Sequence, residues 1–180
     1  MKVITKKQFV MEKLWNIVHY FVYKAEYKMH LLLGKVNPIL YFYRLPFAKR
    51  HFQKMNVDPI IEINKSYKNP KSGISIFFSG NLMNALLFFI FIGIDCIYNG
   101  VKKEFFIDSI FIIIVIGLIS LGVNYFLLFK KDKYLKYFEE FDKMEDHKKK
   151  EWAILSLLVF LGIMLFSIGS FVFMISRLNN

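Results

Sequence analysis

The chain has 180 residues, of which 56% are hydrophobic and 22% charged, and a formal net charge of +11. A mean hydropathy of +0.39 beside that much charge requires charge and apolarity to be segregated along the chain. The single cysteine, Cys96, excludes an intrachain disulfide and a multi-cysteine zinc site.

Residues 1–73 read as a cytoplasmic, amphipathic helical region. Met1–Leu33 has a basic start, but its apolar stretch is short and is followed by Lys24 and Glu26 rather than by a small-residue cleavage motif, so a cleaved secretory signal is not expected. On a helical wheel Val10, Leu14, Ile17, Val18, Phe21, Val22, Ala25 and Met29 share one face. Glu12, Asn16, His19, Tyr23 and Lys24 fall on the other. The pattern predicts one helix over residues 6–33, ended by Gly34 and Pro38. Its Leu14/Phe21/Ala25 face should be hidden from water, in lipid headgroups or against other helices.

The next segment, "NPILYFYRLPFAKRHFQKMN", sets aromatics beside cations. Tyr41, Tyr43, Arg44, Lys49 and Arg50 are the expected membrane-surface contacts, with rings at headgroup level and cations toward anionic lipid. Nucleic-acid sites use the same residue types, but tethering to a membrane favours lipid, and no nucleic-acid partner is expected. Asp58 and Pro59 form a helix-start signature, and "NPKSG" at residues 69–73 a turn.

Three apolar runs follow, at residues 74–98, 105–129 and 152–176. About 20 apolar residues span a hydrocarbon core of roughly 30 Å, and each run exceeds that length. The expected fold is an all-α integral membrane protein with three transmembrane helices behind an N-terminal amphipathic region. Lys and Arg number 14 before the first run, 2 between the first and second, 8 between the second and third, and 1 after the third. Positive loops stay on the cytoplasmic side. The N-terminus is therefore expected inside and the C-terminus outside.

The linker at residues 130–151 is charged, yet Tyr134, Tyr137, Phe138 and Phe141 recur at i, i+3, i+4 and i+7. This predicts a helix continuing from the second span and turning near Asp146–Lys148. Its aromatic stripe is expected to pack on the N-terminal region.

Polar and small residues inside the spans mark helix contacts. Asn81 and Asn84 lie on the first span, Gly117, Ser120 and Asn124 on the second, and Gly162 and Gly169 on the third. These are the expected helix-packing or partner contacts, with Asn84 and Asn124 paired at similar depth. Asp95 and Asp108 flank the short loop between spans one and two and are expected to face Lys102 and Lys103.

The four histidines make no metal-ligand spacing, and no phosphate loop or nucleophile motif occurs. No cofactor and no catalysis are expected. A scarcity of Ala beside abundant Lys, Ile, Asn and Phe fits an AT-rich genome. The expectation is a non-catalytic protein of a bacterial inner membrane that binds another membrane or membrane-targeted protein, as an accessory subunit, assembly factor or toxin-immunity protein, or that self-associates. The alternative is a small oligomeric channel, transporter component or pore-forming protein.

Overall fold

The structure is a computed structural model that describes residues 2–103 and 110–179, with side chains from Val10 onward. Among these residues there are helices and turns and no strand. The chain is an all-α integral membrane protein: three helices are long and apolar enough to cross a bilayer, and other helices precede them. Two compact units are present, Met1–Tyr20 with Asn81–Asn180, and Phe21–Gly80.

Helix α1 runs Lys2–Leu33, one unbroken element as the periodicity predicts. In the Phe21–Gly80 unit it is followed by three short helices, each begun by proline at its first position. α2 spans Pro38–Arg44, α3 Pro46–Lys54 and α4 Pro59–Lys68. Proline has no N–H to lose there and its φ is already helical. Asn37 caps α2 by accepting from Ile39 N at 2.9 Å, and Asp58 caps α4 by accepting from Ile60 N at 2.9 Å and Ile61 N at 3.2 Å. Asn69 turns the chain with its own side chain, accepting from Lys71 N at 2.9 Å. Gly73 then leads into α5, and a Cβ there would stand 2.3 Å from the Asn69 carbonyl oxygen. α4 is joined to α1 by His30, which stacks on Tyr67 with ring centroids 3.4 Å apart and meets Asn64 Oδ1 at 3.1 Å. Tyr23 adds a short hydrogen bond to the Lys68 carbonyl.

The spans are α5 (Ile74–Lys102), α6 (Ile110–Asn124) and the apolar part of α8 (Asp146–Leu178). The predicted start of the second span at Phe105, and Asp108, lie outside the described residues. Asp95 Oδ2 accepts from Asn99 Nδ2 at 3.0 Å, one helical turn away, and Lys102 lies over the Tyr98 ring, 4.6 Å from its centroid.

α6 does not run straight on into the linker. Tyr125–Phe129 form one π turn, closed by Lys130 N donating to the Tyr125 carbonyl. Lys131 and Asp132 then take left-handed backbone angles, φ 59° and 53°. Only after this break does α7 (Lys133–Asp142) begin. The chain turns at residues 143–145, just before the predicted Asp146–Lys148, which form the first turn of α8.

Spans one and three touch where small residues permit it. A Cβ on Gly93 would lie 2.5 Å from the Phe166 ring, and one on Gly100 would lie 3.0 Å from Met174 Cα. Ser167 Oγ donates to the Phe89 carbonyl at 3.0 Å between them.

Candidate functional site: a polar and aromatic clamp at the α6–α7 break

The residues that converge from the greatest sequence distance belong to α1 and to the α6–α7 hairpin. Trp15, Asn16, Ile17, Val18, His19 and Tyr20 are consecutive and all buried. Six buried neighbours on a helix cannot face one surface, so this part of α1 is enclosed on several sides.

The break after α6 creates part of the site. A π turn and the left-handed residues interrupt the regular ladder and release carbonyls. Asn16 Nδ2 donates to one of them, Leu127 O, at 3.1 Å, and also to Glu12 O at 2.8 Å. Lys133 Nζ approaches another, Phe126 O, at 3.3 Å. Beside them, the Trp15 indole N–H donates to Asn124 Oδ1 at 3.2 Å in a buried contact. Asn124 is thus bound by α1, rather than by Asn84 as its depth suggested. Asn84 is half-buried, and its Oδ1 is buried without a hydrogen-bond partner among the described residues.

His19 occupies the middle of the clamp. Its ring lies 6.0 Å from Phe129, 5.8 Å from Tyr134 and 5.3 Å from Phe138, centroid to centroid. Burial among these rings lowers its pKa to about 3, because the imidazolium would lose its hydration. His19 is therefore neutral at physiological pH and acts as an aromatic packing element. Tyr20 packs against Phe138 and Phe141 and donates its hydroxyl to Asp142 Oδ1 at 2.6 Å.

Charges close the rim. Lys133 meets Glu12 at 2.7 Å and Lys13 meets Glu140 at 2.5 Å, so each helix gives one cation and one anion. Tyr137 donates to Glu12 Oε1 at 3.3 Å. Burial, together with the Glu12 carboxylate, pushes the Tyr137 pKa up to about 12 and keeps its proton in place. Both ion pairs are partly exposed and contribute roughly 0–1 kcal/mol each. They select register more than they add stability.

The aromatic stripe of the linker does meet α1, as expected from its spacing. The expected apolar face of α1 is covered only in its middle: Ile17 and Val18 are buried, Leu14, Phe21 and Val22 half-buried, and Val10, Ala25 and Met29 exposed, while Asn16, His19 and Tyr23 from the supposedly wet face are buried as well. The missed signal was polar and aromatic: Glu12, Asn16, His19 and Tyr23 stand at i, i+4, i+7 and i+11, a helical stripe as regular as the apolar one.

The remaining sequence candidates separate into two groups. Ser120 and Asn124 are buried and Asn81 is exposed. By contrast, a Cβ built at Gly117, Gly162 or Gly169 meets nothing within 4 Å, so these glycines face away from the chain's own helices. In the other unit, Tyr41, Arg44, Lys49 and Arg50 are exposed, while Tyr43 is half-buried against Phe52. No group of three or more His, Cys, Asp or Glu that could hold a metal ion occurs among the described residues.

No family model, curated protein or solved structure matches the chain.

Proposed function

We propose that the chain is a non-catalytic protein of a bacterial inner membrane that binds another membrane protein, or one targeted to the membrane. An accessory subunit, an assembly factor and a toxin-immunity protein are the roles of that class. The N-terminus lies in the cytoplasm and the C-terminus outside, as the distribution of Lys and Arg requires.

The open glycines carry the reading. Small residues on a span let another helix backbone approach closely. Gly93 and Gly100 serve this purpose inside the chain, whereas Gly117, Gly162 and Gly169 serve nothing inside it. The apolar windows of the second and third spans are only 11% buried, against 39% in the first. Two of three spans thus offer most of their surface to the bilayer or to a further helix. Gly162 and Gly169, seven residues apart, fall on one face of α8. The clamp supports the same reading from the other side. Its histidine is walled by rings, Glu12 and Glu140 are paired with lysines and Asp142 accepts from Tyr20, an arrangement that fixes one helix against another.

Purification from native membranes in mild detergent tests the proposal. A single stoichiometric membrane-protein partner is the expected result. A homo-oligomer that conducts ions in liposomes would replace it with the channel reading.

A further inference from the structure

We propose that α2 and α3 form a docking element for an anionic bilayer surface, with apolar side chains seated among acyl chains and cations at the phosphates. The two helices bury Leu40 and Ala48 at their bases. That leaves Ile39 and Phe47 more than 60% exposed and Phe42 nearly half exposed. Phe42 and Phe47 bridge the helices edge to face, with centroids 5.4 Å apart, and Tyr43 meets Phe52 at the same distance. Arg50 and Lys54 follow Phe47 at i+3 and i+7, on the same side of α3. An apolar stripe therefore runs directly into a cationic one.

Charge decides the occupant. From Tyr27 to Val57 there is no Asp or Glu, while Lys28, Lys35, Arg44, Lys49, Arg50 and Lys54 are all present. Helices α2 and α3, with exposed Phe42 and Phe47, four cations and no carboxylate of their own, complement a lipid headgroup layer that is apolar below and negative above. The same unit contains the first turns of α5, where the first span begins, so a headgroup layer is within reach of it. Proline at the start of each helix and the rigid α2–α3 corner limit the entropy lost on docking. The lipid contact stands whether or not the chain has a protein partner.

The test uses the full chain, one copy per nanodisc, with Phe47→Cys carrying an environment-sensitive fluorophore. Cys96 is buried and does not compete for the label. Nanodiscs of zwitterionic lipid are compared with nanodiscs containing phosphatidylglycerol. The probe should shift to the blue, and be quenched by headgroup-depth spin labels, in the anionic discs. A matched label at Ser66 should stay wet in both. Each cation near an anionic surface favours docking by roughly fivefold, so Lys49→Gln with Arg50→Gln should lower the docking equilibrium constant about 25-fold. Raising the salt from 0.1 to 1 M cuts the screening length from about 10 Å to about 3 Å and should act in the same direction. A wet probe in both lipids overturns the proposal. So does a blue shift that ignores lipid charge, or one that appears only when several copies share a disc, which would assign the stripe to a second copy.

Discussion

Trp15 and Asn124 are 109 residues apart in sequence and share one buried hydrogen bond. Such a bond contributes about 1 kcal/mol net, and more is lost when one partner is left unmet. Trp15→Phe and Asn124→Leu should therefore be non-additive. A double-mutant cycle on reversible unfolding in mixed micelles should give a coupling energy of roughly 0.5–1.5 kcal/mol, whereas strict additivity would mean the contact carries no energy. His19 gives a pH signature. Its folded pKa of about 3 lies below its unfolded value of 6.5. The folded state thus binds fewer protons, and its stability is complete above pH 6.5 and falls as the pH drops toward 3. The slope reaches up to about 1.4 kcal/mol per pH unit. The opening free energy of α1, taken from hydrogen exchange corrected for the intrinsic rate at each pH, should fall between pH 6.5 and 5, and His19→Phe should flatten that fall. An unchanged slope in the variant would place the titrating group elsewhere.

The elements differ in how far sequence alone reveals them. The spans, the Asp58 cap, the Asn69 turn and the end of α1 depend on local chemistry, and each can be read from a few adjacent residues. The buried face of α1 depends on what packs against it. A hydropathy wheel assigns His19, Asn16 and Tyr23 to water because it cannot see the rings of α7, the released carbonyl of Leu127 or the carbonyl of Lys68. The break between α6 and α7 was invisible for a related reason. Lys131 is not a residue that announces left-handed backbone, and Asp132 adopts it only occasionally. That conformation costs a non-glycine residue roughly 1–2 kcal/mol, partly offset in glycine by its greater chain entropy. Lys131→Gly should raise the unfolding free energy by about 0.5–1 kcal/mol, and Lys131→Val should lower it. A thermal melt of each in detergent checks this, and a destabilising glycine would deny that the break is strained.

For the whole molecule, the distribution of cations predicts the proposed topology and the open glycines predict the proposed interaction. Reporter fusions should place the N-terminus in the cytoplasm and the C-terminus outside, and a cytoplasmic C-terminus would refute the orientation. The face of α8 that carries Gly162 and Gly169 is the part of the candidate site most legible in sequence, since a spacing of seven needs no tertiary knowledge. What the structure adds is that the chain's own helices leave this face uncovered. The most direct measurement is site-specific photo-crosslinking in native membranes, with a photoreactive residue at Gly162, at Gly169 and at the outward-facing Ile168. The account predicts one protein adduct of the same mass from Gly162 and Gly169, and lipid adducts alone from Ile168. Lipid adducts alone at all three positions would contradict it.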